Sequence, residues 1–339
     1  MSRSRPSPMA PGLFRAAVLV GALALTSWAC DDADTGDVLT VEAEGAVVAR
    51  LLFDANGTEA PDAQDTPLED WTFDLNQPAG GTVASEMTDE DGLATFTEVP
   101  VGRLVPAVPD EELGDTLSIV EGTAEPFLLA AGQTREIGTL LSLPFHTIRE
   151  VRGLPSGKPL FVEGIALNAF APGDRSLHLR FGSRYLRILS VDEGSVGVAD
   201  SVRVRGRTAV DAGVPVLEGH AVYRIGPGSS VLEPVSLSTG EAAGAQGGVL
   251  DAALVRVENA DIEEVVNEGD EGVVVTADDG SGPVNIRFRD FLDLDPDAVD
   301  PETDSVDFCV GILVPVRTDG EVTWELRPRS SADVNLSRS

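Results

Sequence analysis

Lysine is almost missing from this chain: Lys158 stands alone beside 23 arginines, and 57 acidic residues bring the formal charge to -33. A surface of that sign repels nucleic acid and anionic lipid on average. Histidine is confined to His146, His178 and His220, no Gly-x-Ser-x-Gly occurs, and no paired histidine spacing suits zinc. These gaps argue against an enzyme, and abundant carboxylates do not by themselves locate an acid–base pair. Helical periodicity is also missing. The hydrophobic residues, 42 % of the chain, fall into short alternating runs, a pattern of strands rather than of disorder.

There is one long uncharged run, Ala16 to Ala29, with Arg3, Arg5 and Arg15 ahead of it. It is too short to span a bilayer comfortably and has the form of an export signal. Thr26-Ser27-Trp28-Ala29-Cys30 resembles a bacterial lipobox, although Trp28 replaces a small residue. The resemblance implies that Cys30 is diacylated and becomes the new N-terminus; the alternative is cleavage near Ala29 with a free thiol. Two or three acyl chains, at about 0.8 kcal/mol per buried methylene, hold a protein stably on a membrane. The expectation is an exported, membrane-anchored lipoprotein of a bacterial cell envelope, with a signal peptide over 1–29 and the lipidated cysteine and flexible acidic tether over 30–44. The other cysteine, Cys309, lies in an apolar run and reads as a buried structural thiol.

From Ala46 onward, short alternating segments are separated by turns such as Asn56-Gly57 and Asp91-Gly92, which argues for a β-sandwich. Thr66 to Leu75 and Thr88 to Gly102 resemble the prealbumin-like sandwiches of adhesin B-type and carboxypeptidase regulatory-like domains, covering about 45–143. The absence of lysine there excludes the Lys-Asn cross-link of some relatives. Asp54, Asn56 and Asp62, with Asp65 nearby, resemble a trimmed calcium loop of such repeats; a solvated Asn-Gly turn is the alternative.

The pattern restarts at His146. The stretch to Ile165 resembles the opening of OB-fold modules attached to secreted bacterial nucleases, and further strands are expected at Ser176 to Phe181, Arg184 to Ser190, Ser201 to Thr208 and Pro215 to Ile225. Asp200-Ser-Val-Arg-Val-Arg-Gly206 is echoed by Asp304-Ser-Val-Asp-Phe-Cys-Val-Gly311, so a second copy follows. The expected organisation is all-β: a prealbumin-like β-sandwich, a first OB-like barrel over 144–228, a Ser-, Gly-, Ala- and Pro-rich linker over 229–248, and a second OB-like barrel over 249–339.

Charge is uneven between the two barrels. His146 to Ile225 holds eleven basic residues against eight acids, whereas Gln246 to Ser339 holds seven against twenty-two. Arg203, Arg205 and Arg207 alternate and share one strand face, and Arg184, Arg187 and Tyr185 lie on the strand before. That face could hold a phosphate backbone or an acidic polysaccharide, or could dock against acidic neighbouring domains. Asp293, Asp295 and Asp297, with Asp304, imitate a calcium loop, but Ala298 replaces the glycine required at position six; a short helix or connector is the alternative. The functional expectation is a non-enzymatic surface binding or scaffolding protein with a membrane contact through lipid, a protein or glycan partner, and calcium as its candidate cofactor. The rivals are a polyanion- or nucleic-acid-binding nuclease accessory, disfavoured by net charge, and a calcium-dependent adhesion module.

Overall fold

The computed structural model describes residues 43–122, 125–169, 175–190, 196–228, 232–289, 292, 294–318 and 320–337. The expectations placed on residues 1–42, including Cys30, and on Asp293 lie outside the described residues.

The first body contains β1 (Glu44–Phe53), β2 (Thr66–Pro67), β3 (Thr72–Asn76), β4 (Thr82–Met87), β5 (Leu93–Pro100), β6 (Gly102–Ala107), a single helical turn α1 (Asp110–Leu113), β7 (Ser118–Glu121), β8 (Phe127–Leu129) and β9 (Thr134–Ser142). One sheet runs β2-β1-β9-β7, with β5 pairing β1 along residues 44–50 where β2 pairs it at residues 52–53, and the second runs β4-β3-β6-β8. The strands β1 and β9 are parallel. Two-residue periodicity turns Val47, Ala49 and Leu51 of β1 toward Phe73 and Leu75 of β3, so the two sheets share one core. Phe73 and Phe96 meet edge to face in it, 6.3 Å between centroids.

Two barrels follow. The first has β10 (Phe145–His146), α2 (Ile148–Val151), β11 (Pro159–Ala166), β12 (Leu177–Phe181), β13 (Arg184–Leu189), β14 (Ser201–Asp211) and β15 (Val214–Gly226). Its strands run β11-β12-β13-β15-β14, and β14 returns to pair with β11. The contact of β13 with β15 is parallel, and the other contacts in the ring are antiparallel. The second has β16 (Val235–Ser236), α3 (Thr239–Gly248), β17 (Leu254–Asn267), β18 (Val273–Asp278), β19 (Val284–Phe288), β20 (Ser305–Thr318), β21 (Glu321–Arg327) and β22 (Val334–Ser337). It repeats the same ring, with β20 closing onto β17 and β19 parallel to β21. Five strands in this order make each an OB-like barrel.

The echo between Gly206 and Gly311 has a steric cause. A Cβ at Gly206 would stand 2.3 Å from the carbonyl oxygen of Glu218, and one at Gly311 would stand 2.8 Å from that of Arg327. In both barrels the fourth strand presses against the fifth where no side chain fits.

The stretch at 229–248, expected as a linker, carries α3. Ser238 Oγ accepts from the Glu241 amide at 3.3 Å while the Glu241 carboxylate accepts from the Ser238 amide at 3.1 Å, a capping box. The first barrel has the same device: Thr147 and Glu150 cap α2, whose Ile148 and Val151 enter the core. The apolar face of α3 is only Ala242 and Ala245, both fully buried, which is why no hydrophobic period announced it. The chain leaves the helix through left-handed residues from Ala245 to Gly247.

Candidate functional site

The loop after β1 folds onto itself before it meets anything else. Asp54 is fully buried; its carboxylate accepts from the amides of Gly57 (2.6 Å), Thr58 (3.0 Å) and Glu59 (2.9 Å) and from the Ser142 hydroxyl (2.9 Å). Asn56 donates to Asp62 at 2.8 Å, which holds the Asp62 carboxyl below its ordinary range. With Asp54 committed to four donors, the loop is a rigid knob. Its carbonyls point outward, and the first barrel takes them: Tyr223 OH donates to Ala55 at 2.7 Å, and Arg203 donates to Asn56 at 3.0 Å and to Gly57. Gly57 has φ +73, and a Cβ on it would come within 2.8 Å of both Arg203 and Phe145, so this turn requires glycine twice over.

This seam absorbs much of the arginine face. Arg203 forms a 2.6 Å ion pair with Glu163 and lies over the Phe145 ring at 4.9 Å, and Arg205 lies over Phe53 at 5.6 Å. Arg207 donates to the Gly157 carbonyl at 3.2 Å. Arg184 is exposed and has no partner among the described residues. The six residues expected to form one ligand face are therefore split between interior contacts and open surface.

Arg187 and Tyr185 belong to a different contact. OB barrels take ligands on the outer face of strands two and three; here that face of the first barrel is shut by the second. Tyr185 and Leu167 join the second barrel's core cluster. Arg152, at the end of α2, donates to the Tyr185 carbonyl at 3.2 Å and to the Gly248 carbonyl at 2.9 Å. Arg187, 4 % exposed, pairs with Asp211 at 2.6 Å, and its Nε lies 3.8 Å from Asp251. Asp251 has no exposed surface and neither of its carboxylate oxygens has a hydrogen-bond partner. Burial pushes its pKa up to about 6, against the opposing pull of Arg187 and Arg152.

The second barrel's corresponding face is built differently. Arg287 on β19 grips Glu325 on β21 through two 2.8 Å bonds and also donates to Glu268 at 2.6 Å. Arg327 reaches Glu325 more loosely, at 3.3 Å. Beside Arg327 a cleft of about 680 Å³ opens between the β14–β15 hairpin and strands β20 and β21. On the acidic loop before β20, Asp295 accepts from the Asp297 amide at 3.0 Å and Asp304 from the Asp300 amide at 3.0 Å, around a short 3₁₀ turn at Pro296–Ala298. Among the described residues no three His, Cys, Asp or Glu side chains form a metal-holding group. Cys309 is free and buried in the second core, where desolvation raises its pKa far above the ordinary thiol range.

Sequence reasoning missed Arg152, Asp211, Asp251, Arg317 and Arg327. One signal was present: Asp251 is the lone acid inside Leu250-Asp-Ala-Ala-Leu254. The arginines carried none, because an exposed and an interfacial arginine on a strand look alike in sequence.

No protein-family model matches the chain, and no curated protein is significantly similar to it. Among solved structures, the Ifi202 HINa domain in complex with 20bp dsDNA is 12% identical, covering 54% of this chain and 97% of its own, at a TM-score of 0.25. The hypothetical protein ygiW from E. coli is 12% identical over 24% of this chain and 89% of its own, at 0.22. Telomere capping protein Ten1 from Saccharomyces pombe is 16% identical over 24% of this chain and 78% of its own, at 0.21. Scores this low carry no argument, and the OB-like assignment stands on the strand pairings.

Proposed function

We propose that this chain is a non-enzymatic binding or scaffolding lipoprotein of a bacterial cell envelope, exported and anchored through Cys30. Its first body is a prealbumin-like sandwich, its first barrel is a keystone, and its second barrel carries the working surface. The observation that supports this most is the position of Arg203 and Arg205: the first donates to the Asn56 and Gly57 carbonyls of the sandwich and the second lies over its Phe53, while Arg187 and Tyr185 are covered by the second barrel. A barrel covered on two sides joins its neighbours and offers little face to a ligand.

The nuclease-accessory reading requires that arginine face to be open. Fluorescence anisotropy of labelled single-stranded DNA against the full chain in detergent separates the two. The scaffold reading expects no affinity at moderate salt. An affinity that falls steeply with salt and disappears in Arg205→Ala would overturn it in favour of the polyanion reading. Anchoring has its own test: Cys30→Ser should move the protein from the membrane fraction to the soluble fraction, and an unchanged distribution would remove the lipid from the proposal.

A further inference from the structure

The cleft between the two barrels is lined by charge that runs against that of the molecule as a whole. The chain carries -33 overall, and the excess acid lies on either side of the first barrel, in residues 31–145 and 246–339. Yet the ionisable residues lining this cleft are Arg317, Arg327 and Asp211. Asp211 is already paired with Arg187 at 2.6 Å. Arg317 is exposed at the mouth and has neither an ion pair nor a hydrogen bond among the described residues. Arg327 shares Glu325 with Arg287, which holds the closer contacts, and its Nε is buried without an acceptor. Burial lowers the Arg327 pKa and, although Glu325 opposes this, the neighbouring Arg289 and Arg287 lower it further, so the Glu325 ion pair at 3.3 Å compensates this guanidinium only in part.

The geometry points to this cleft as a binding site for a small molecule bearing an oxyanion, a carboxylate or phosphate, taken between Arg317 and Arg327. Guanidinium groups hold both oxyanions with paired, charge-assisted hydrogen bonds. The volume of about 680 Å³ lies within the range of small-molecule sites. Val210, 59 % exposed at the mouth, and Pro315 supply apolar wall for a short hydrocarbon portion. A long polyanion would run out over an acidic surface, whereas a compact anion stays within the cleft. This deepens the binding reading and rests on it.

The test is isothermal titration of the full chain in detergent with succinate and, separately, with inorganic phosphate, at low ionic strength. Saturable one-site binding of at least one of them is expected, weakened tenfold or more in Arg317→Glu and unchanged in Arg256→Ala, an arginine paired elsewhere with Glu258. Arg317 and Val210 are exposed, so Arg317→Glu and a blocking Val210→Trp should both fold, and both should lose the heat signal. Succinate alone binding assigns a carboxylate ligand, and phosphate alone assigns a phosphate. No saturable heat from either anion up to tens of millimolar, or binding weakened less than tenfold in Arg317→Glu, overturns the site. If the DNA assay stays silent in that case, the scaffold reading stands without it.

Discussion

Arg203 Nη1 lies 3.0 Å from the carbonyl oxygen of Asn56, a residue 147 positions earlier in the chain. The same guanidinium binds Glu163 of its own barrel through Nε at 2.9 Å and Nη2 at 2.6 Å. Two features that look independent in sequence, an acidic Asn-Gly loop and an arginine-bearing strand, are thus each other's partners. The Arg203 side chain is 18 % exposed and that of Glu163 44 %, so the bonds to the loop carbonyls are better shielded from solvent than the ion pair.

Arg203→Ala is expected to cost about 2 kcal/mol, within the range for hydrogen bonds to a charged group. It should also separate the unfolding of the sandwich from that of the barrels in a urea titration followed by two probes. Arg203→Lys should not restore the loss, because one ammonium cannot reach Glu163 and two carbonyls in the fork geometry of a guanidinium. Full rescue by lysine would mean that charge alone holds the seam.

Asp54→Ala leaves three backbone amides and the Ser142 hydroxyl without their acceptor, and a loss of about 3 kcal/mol or more is expected from buried donors left unmet. The carboxylate serves the loop itself, so the loss should be equal with calcium and with a chelator present. A melting temperature of the wild-type chain that rises with calcium, with the rise absent in the variant, would return the loop to the calcium reading.

The fold was more legible than the site, and the reason lies in what each depends on. Val47, Ala49 and Leu51 alternate because a sheet has two faces, so β1 can be read from its residues alone. The Asp-Ser-Val run that leads to Gly206 is echoed, one residue further off, before Gly311, and both glycines answer the same collision between strands four and five. The two seams depend on contacts between residues far apart in sequence. The alternation of Arg203, Arg205 and Arg207 is identical whether the strand faces water or another body. The helix α3 was hidden for a further reason: alanine and glycine fill its buried side, so burial there leaves no hydrophobic trace.

Glycine replacements separate the steric requirement from ordinary chain stiffness. Gly206→Ala and Gly311→Ala each force a Cβ against backbone, and each should destabilise by about 1–3 kcal/mol, as overpacked sites do. Gly244→Ala meets open space within α3 and should stabilise by about 0.5–1 kcal/mol. Measured by thermal unfolding, a loss at both barrel positions beside a gain at Gly244 would support the tight fourth strand, whereas harmless alanines at both barrel positions would show that the strands can separate there.

Asp251 makes the joint between the barrels sensitive to pH. The groups facing it are Arg187 from β13, Arg152 from the end of α2 and Asp211 from the end of β14, together with the Ala252 amide. Burial outweighs the two arginines and raises the folded pKa from 3.8 to about 6. Between these values the folded state keeps a proton that the unfolded chain has released. Stability therefore falls as pH rises through this window, by about 1.4 kcal/mol per unit and about 3 kcal/mol across it, with the full loss reached above about pH 6. Asp251→Asn removes the buried charge and leaves Arg187 its 2.6 Å pair with Asp211. The variant should match wild type near pH 4, exceed it by up to about 3 kcal/mol near pH 8, and flatten the profile between. Urea unfolding at a series of pH values reads this directly. Parallel curves for the two proteins would show that Arg187 already neutralises the carboxylate, and a less stable variant at alkaline pH would show that the ion pair, not the desolvation, governs the joint.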